Sequence, residues 1–134
     1  MSCLFNSIHS LLSEEFQFSN LANLRSFMIY YIKENLNKKM NDGLTIQNWI
    51  ENASIEKFNQ IDVERYLHSM SNHSTWGGGP EIAILSHILK IHIFVVQNNK
   101  IISKFENCDD PFKILYINFN GSHYEPLKVV NKKN

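Results

Sequence analysis

The sequence has no apolar run that approaches the roughly 20 residues needed to span a bilayer. Its first residues also lack the charged segment, apolar stretch and cleavage site of a secretory signal peptide. It contains two cysteines, Cys3 and Cys108. These are too few for a disulfide framework, and they lack the paired spacing of a zinc site. We therefore expect a cytoplasmic or nuclear location.

An excess of charge of either sign is also missing, since 13 basic residues balance 13 acidic residues in the 134-residue chain. Such a chain has no long-range positive field that would attract nucleic acid or an anionic membrane, and we expect neither as a partner. The 43% of hydrophobic residues suits one folded domain. We place this domain at residues 1–130 and expect a frayed polar tail over residues 131–134.

The first two-thirds of the chain carries apolar residues at helical spacing, with capping and turn residues between them. The predicted helices are Cys3–Leu12, capped by Ser2; a second between Asn20 and the turn at Asn41; Thr45–Asn52; Asp62–Met70; and Pro80 to about Lys90. Cys3 would open the first of these helices, whose other residues are largely buried.

The last third changes to β-branched and aromatic residues separated by turn signals. The predicted strands are Ile91–Gln97, Lys100–Phe105, Ile114–Phe119 and a last one from about Ser122 through Leu127 to Val130. Asn120-Gly121 is typical of the tight turn before that last strand. Helices followed by strands indicate the α+β class.

Cys3 is a candidate nucleophile because a cysteine at a helix N-terminus has its thiolate stabilised by the helix dipole and by free backbone amides. The alternative is structural. A cysteine beside Leu4 and Phe5 also fits the role of a small buried hydrophobic residue. Cys3 would need a base to act as a nucleophile.

His123 is the histidine whose context differs from the other five, because it follows a glycine turn and begins a strand. The two-residue period of a strand places Glu125 on the same face, where its carboxylate would orient the imidazole. Together with Cys3 these residues form a cysteine, histidine and acid set. A chance pairing is the alternative, since six histidines will often include one with an acid two residues away.

The segment from Trp76 to Glu81 contains three consecutive glycines and a proline. It does not fit a phosphate-binding loop, because no Lys-Ser/Thr pair follows the glycines. Consecutive glycines permit close approach of another backbone, as in a channel for an extended peptide. A simple turn before the helix at Pro80 is the alternative.

In order along the chain, these features resemble the ovarian-tumour (OTU) family of cysteine proteases. The matching blocks are Cys3-Leu4-Phe5-Asn6-Ser7-Ile8; Leu24-Arg25 and Tyr31-Ile32; Tyr66-Leu67, Met70 and Trp76-Gly77-Gly78; Glu81-Ile82, Leu85-Ser86 and Ile91 to Val96; and His123-Tyr124-Glu125. The resemblance covers nearly the whole chain.

The resemblance implies helices flanking a small, mostly antiparallel sheet. It implies a monomeric thiol hydrolase that removes ubiquitin or a ubiquitin-like protein at the bond after its C-terminal glycine, without a metal or another cofactor. By this analogy, Cys3 is the nucleophile, His123 the base and Glu125 the orienting acid. Trp76, Gly77 and Gly78 would line the channel for the substrate tail.

The sequence departs from the family pattern in two places. The family has Asp or Asn two residues after the histidine, where this chain has Glu125, so Asn118 or Asn120 is an alternative orienting residue. The family also has Asp-Gly-Asn before the cysteine, where this chain has Met1-Ser2, so we expect most of the oxyanion loop to be missing. The alternative functions are an OTU-like module that binds ubiquitin with impaired catalysis, and an interaction domain in which Cys3 and His123 never meet.

Overall fold

The structure, a computed structural model, describes residues 3–12, 21–72, 75 and 77–127. Five helices are followed by four strands within these ranges. The helices are α1 (Cys3–Leu12), α2 (Leu21–Glu34), α3 (Ile46–Phe58), α4 (Val63–Ser71) and α5 (Gly79–Leu89). The strands are β1 (His92–Gln97), β2 (Lys100–Phe105), β3 (Ile114–Phe119) and β4 (Tyr124–Leu127). This order confirms the α+β class.

Local capping explains both ends of α3. The Thr45 side chain accepts a hydrogen bond from the Asn48 N–H, and the Asn48 side chain accepts one from the Thr45 N–H, which forms a reciprocal cap at the start of α3. The helix ends at Phe58, and the C-cap residue Asn59 adopts the left-handed conformation. α3 is therefore six residues longer than the predicted Thr45–Asn52 helix at its C-terminal end. The second predicted helix was too long, because α2 ends at Glu34.

The sheet has the strand order β2-β1-β3-β4. The β1–β2 and β3–β4 pairs are antiparallel, whereas the central β1–β3 pair is parallel. Asn98 and Asn99 both have positive φ angles, 52° and 63°, in the two-residue turn between β1 and β2. The segment 106–113 then crosses the start of β1 to reach β3. A mostly antiparallel sheet was expected, and the one parallel pair lies at its centre.

Two of the helices, α1 and α5, contact this sheet. Ile93 and Val95 of β1 and Leu115 and Ile117 of β3 are buried on one face of the sheet. α1 contacts β3 and β4, whereas α5 contacts β1 and β2. The core therefore lies between the helices and the sheet, and α1 is held beside the β4 edge.

Two predictions at the chain ends fall outside the described residues: the Ser2 cap, and residues 128–134 with the end of the last strand and the tail. Within the described ranges, β4 begins at Tyr124 rather than at Ser122. No helix in the described part of the chain is long and apolar enough to cross a bilayer.

Candidate active site

Cys3 is the first residue of α1 and is only partly buried. The next residues, Leu4 and Phe5, are fully buried, and so are Ile8 and Leu12 one and two turns later. This apolar stripe fixes α1 against the sheet and leaves Cys3 at the helix start, where the first-turn backbone N–H groups have no partner within the helix. Cys3 is therefore not a core residue, although Leu4 and Phe5, the two residues that follow it, are.

His123 is held at the end of a tight turn. Gly121 has a φ of 104°, which L-residues with a side chain rarely adopt. The Asn120 side-chain oxygen accepts hydrogen bonds from the backbone N–H groups of Ser122 at 3.0 Å and His123 at 2.8 Å. The Asn120 N–H in turn donates to the His123 carbonyl at 3.1 Å. The turn thus fixes the backbone position of His123, whose side chain is exposed.

The direct link between the two ends of the chain is a hydrogen bond from the Tyr124 N–H to Cys3 Sγ at 3.3 Å. The two residues are 121 positions apart in sequence. Asn120 and His123 form a hydrogen-bonded pair, so the next pair, Phe119 and Tyr124, does not, and the Tyr124 N–H points away from β3. Because β4 is an edge strand, this N–H is directed toward the start of α1. The predicted nucleophile therefore contacts the residue that follows the predicted base.

Glu125 and Asn118 lie directly opposite each other in the β3–β4 pairing. Residues opposite each other in an antiparallel pair share a face of the sheet, so the Glu125 and Asn118 side chains lie on the same face. His123 is two residues before Glu125, and the two-residue period of a strand places its side chain on that face as well. Asn120 also lies close by, with its side-chain oxygen engaged in the turn. The structure brings all three candidate orienting residues into one region, and the assignment of the role to Glu125 stays a prediction.

A groove of about 330 Å³ opens beside Cys3. One wall is the polar stripe of α1 formed by Cys3, Asn6, Ser7 and Ser10, and the other is the start of β4. Ser7 donates its hydroxyl to the Cys3 carbonyl at 2.8 Å, whereas Asn6 and Ser10 are exposed. Cys3 therefore lies in the wall of an open groove.

The described part of the glycine-rich stretch, residues 77–81, is called the glycine segment below. Its first residue, Gly77, lies against the buried side of α1. A Cβ atom added at Gly77 would lie 2.8 Å from Leu4 Cδ2 and 3.1 Å from Phe5 Cε2, closer than ordinary van der Waals contact. Gly77 therefore allows the segment to approach the helix that carries Cys3. Trp76, which the family resemblance places at the channel for the substrate tail, lies outside the described residues.

Glu81 anchors the same segment from inside the protein. Its side chain is 4% exposed, and its Oε1 accepts the Gly78 N–H at 2.6 Å. The Tyr66 hydroxyl donates to Oε2. Burial raises the pKa of the Glu81 carboxyl, while these two hydrogen bonds favour its ionised form. Sequence reasoning placed Glu81 in a helix first turn but missed its burial and its contact with Gly78.

Arg25 anchors the start of the segment. This buried guanidinium donates to the carbonyls of Met70 at 2.9 Å and Thr75 at 2.7 Å, and it stacks over the Phe5 ring at 4.2 Å. Burial lowers the pKa of Arg25, and the nearby Glu81 opposes that shift. Arg25 was noted as part of a sequence block without a role. A charged residue inside an apolar helical stretch was the available signal for it.

The second cysteine lies elsewhere, in the crossing segment before β3. Its Sγ is 3.7 Å from the Ile91 carbonyl, and burial, with the adjacent Asp109, raises the pKa of the Cys108 thiol. Among residues 3–12, 21–72, 75 and 77–127, no group of three His, Cys, Asp or Glu side chains is arranged to hold a metal ion.

Comparison with known proteins gives consistent results. The family model described as "OTU-like cysteine protease" matches residues 2–124. The chain is 29% identical over 135 residues to the deubiquitinase OTUD6B of Xenopus laevis, a match that covers 96% of this chain and 44% of that protein. It is 27% identical over 134 residues to the OTU domain-containing protein 6A of Mus musculus, with 96% and 43% coverage. The chain therefore spans less than half the length of these relatives.

Solved structures share the fold. An OTU domain solved in complex with ubiquitin matches with a TM-score of 0.63 and 24% identity, covering 93% of this chain and 62% of the other. An OTU deubiquitinase from Wolbachia pipientis wMel, solved bound to ubiquitin, matches with a TM-score of 0.54 and 20% identity, covering 94% and 88%.

Proposed function

This chain belongs to the family of OTU-like cysteine proteases, and on that basis we propose that it cleaves ubiquitin or a ubiquitin-like protein from conjugates at the bond after the C-terminal glycine. The observation that supports this most directly is the hydrogen bond from the Tyr124 N–H to Cys3 Sγ, since Tyr124 is the residue that follows His123 in the chain. The names of the relatives, and the ubiquitin in two of the matched structures, support the choice of substrate.

The proposed reaction has two steps. The Cys3 thiol transfers its proton to His123, and the sulfur attacks the carbonyl carbon of the substrate's last glycine. The tetrahedral intermediate collapses to a thioester as His123 delivers that proton to the lysine amine, which leaves. Water, deprotonated by His123, then attacks the thioester and releases the glycine carboxylic acid, which loses its proton to solvent, while the proton on His123 returns to the Cys3 sulfur.

Two features of the protein would favour the attacking thiolate. The first-turn N–H groups of α1 give the helix start a partial positive charge. The Tyr124 N–H also points at the sulfur atom itself. A fixed donor stabilises the negative charge on the sulfur that leaves when the thioester is cleaved, because hydrogen bonds to ionised acceptors are the stronger ones.

The glycine segment offers a path for the C-terminal tail of the substrate beside α1. Gly77 and Gly78 present backbone without side chains beside α1, and Glu81 and Arg25 hold the segment in place. A substrate tail that ends in small residues would fit along such a surface, with the scissile carbonyl next to Cys3.

A ubiquitin that carries a C-terminal electrophile tests the proposal. We expect a covalent adduct on Cys3 in the wild-type protein and in the Cys108→Ala control, and none in Cys3→Ala, with thermal unfolding showing that all three are folded. An adduct of unchanged yield in Cys3→Ala would exclude this nucleophile. Non-covalent ubiquitin binding without any adduct in the wild type would instead support the impaired, ubiquitin-binding alternative.

A further inference from the structure

Glu81, the last residue of the glycine segment, turns its side chain into the protein. It is 4% exposed, and both of its carboxylate oxygens accept hydrogen bonds. Oε1 accepts the Gly78 N–H at 2.6 Å, and Oε2 accepts the Tyr66 hydroxyl. Tyr66 is fully buried in α4 and belongs to the hydrophobic core. The carboxylate therefore connects the backbone of Gly78 to a fixed side chain of the core.

The three glycines before Glu81 differ in how closely they are packed. A Cβ atom added at Gly77 would lie 2.8 Å from Leu4 Cδ2 of α1. One added at Gly78 would lie 4.0 Å from Glu81 Oε1, and one added at Gly79 would meet nothing within 4 Å. The position of the Gly78 backbone therefore depends on its hydrogen bond to the carboxylate more than on packing. Gly78 is in turn the neighbour of the residue that touches the helix of the proposed nucleophile.

Ionisable groups from several elements surround the Glu81 carboxylate. Those that face it are Arg25 of α2, Lys57 of α3, Tyr66 of α4 and Tyr124 of β4, and Glu56 of α3 lines the pocket beside the same glycines. Burial raises the pKa of the Glu81 carboxyl, and the two hydrogen bonds and the Lys57 charge oppose this rise. Glu81 therefore takes up a proton at a higher pH than an ordinary glutamate does.

Protonation would change both hydrogen bonds of the carboxylate. The ionised group accepts from two donors, whereas a protonated carboxyl carries an O–H donor of its own. The Tyr66 hydroxyl must then turn round, or the Gly78 N–H loses its acceptor, and neither bond is charge-assisted any longer. Because folding raises the pKa of Glu81, the folded protein takes up this proton more readily than the unfolded chain does. The proton at this position therefore weakens a local contact and does not by itself unfold the domain.

We propose that Glu81 is a positioning residue for the proposed reaction, whose ionised carboxylate holds the backbone of Gly77 and Gly78 where the C-terminal tail of the substrate binds. Proton uptake by Glu81 weakens this hold, so recognition of ubiquitin falls at acidic pH more steeply than the reactivity of the Cys3 thiol itself. The inference rests on the proposed function. It adds an acid-sensitive control of substrate binding that is separate from the nucleophile and its base.

Two labelling rates measured on the same protein test this inference. The ubiquitin electrophile needs both the tail path and the thiol, whereas iodoacetamide needs the thiol alone, so the ratio of the two rates reports on the tail path. Both rates are measured from about pH 8 to about pH 4.5 in the Cys108→Ala background, where Cys3 is the cysteine that remains. The ratio should fall at least about fivefold toward acidic pH, because a charge-assisted hydrogen bond is lost.

Three variants assign the fall in this ratio to the carboxylate. Glu81→Gln keeps an acceptor for the Gly78 N–H but cannot take up a proton, so its ratio should change by less than about twofold over the same range. Glu56→Gln is the matched control at an exposed carboxylate beside the same glycines, and its ratio should fall as before. Tyr66→Phe removes a donor to the ionised carboxylate and should move the fall to a higher pH.

The outcomes separate this inference from the proposed function. Parallel profiles with and without Glu81→Gln, or an unshifted profile in Tyr66→Phe, would overturn the inference. Ubiquitin would still label Cys3 in that case, so the proposed function would stand. A protein whose Cys3 reacts with iodoacetamide but with the ubiquitin electrophile at no pH would overturn both. If Glu81→Gln did not fold, the Tyr66→Phe profile would decide the matter.

Discussion

Replacing Gly77 with alanine tests the contact between the glycine segment and the helix that carries Cys3. The new Cβ atom would lie 2.8 Å from Leu4 Cδ2, and Leu4 is fully buried. Overpacking of this kind destabilises by about 1–3 kcal/mol. The loss of unfolded-state entropy on going from glycine to alanine returns about 0.4–1 kcal/mol. We expect a net loss of about 1–2 kcal/mol.

Thermal unfolding provides the assay. For a domain of this size, each kcal/mol corresponds to roughly 3–6 °C in Tm, so the Gly77→Ala variant should unfold about 3–12 °C below the wild type. Gly79→Ala is the matched control, because a Cβ atom there meets nothing within 4 Å and the residue is the first of α5. That control should lower the Tm less than Gly77→Ala does, because its Cβ atom meets no neighbour, although alanine before Pro80 is less free than glycine to adopt the helical conformation.

The same two variants distinguish a local effect on catalysis from a loss of folding. Displacement of Leu4 would also shift Cys3 relative to the substrate, and small misplacements of a reacting group reduce rates strongly. We therefore expect slower adduct formation with the ubiquitin electrophile in Gly77→Ala at a temperature where the variant is fully folded. If Gly77→Ala matched Gly79→Ala in both Tm and labelling rate, the proposed close contact would be wrong.

Three further predictions concern individual side chains. Tyr66→Phe removes a hydrogen-bond donor from the buried Glu81 carboxylate and should lower the unfolding free energy by about 1–3 kcal/mol, measured by urea denaturation, and a neutral result would contradict the hydrogen bond. Burial lowers the pKa of His87, so the unfolded chain takes up a proton on this histidine more readily than the folded protein does. The unfolding free energy should therefore fall as pH drops below about 6.5. The variant His87→Phe should flatten that part of the Tm–pH curve, and an unchanged slope would exclude His87 as its cause. His123→Ala should reduce turnover nearly as much as Cys3→Ala does, and the double variant should lose little more, since the two act as one unit; additive losses would mean that they do not.

Much of the local structure follows from the sequence because short-range patterns encode it. Apolar spacing located α1 at its observed bounds, and β-branched and aromatic residues between turn signals did the same for β2 and β3. The Asn120-Gly121 turn was also expected, since only residues that tolerate positive φ fit there. The ordered blocks were enough to indicate the family, which the family match confirms. The length of α3 was missed because its stop is the left-handed Asn59, for which glycine is the commoner residue.

Only the tertiary structure decided which residues surround the thiol. The sequence places Cys3 at a helix start and His123 at a strand start, but their separation depends on which sheet edge lies next to α1. That choice comes from the strand order, with β4 at the edge and its Tyr124 N–H directed at the sulfur. The roles of Glu81 and Arg25 were likewise hidden, because a charged side chain is stable in a core only when distant residues supply its partners. Sequence spacing records local periods, whereas these partners meet through packing between elements that are far apart in the chain.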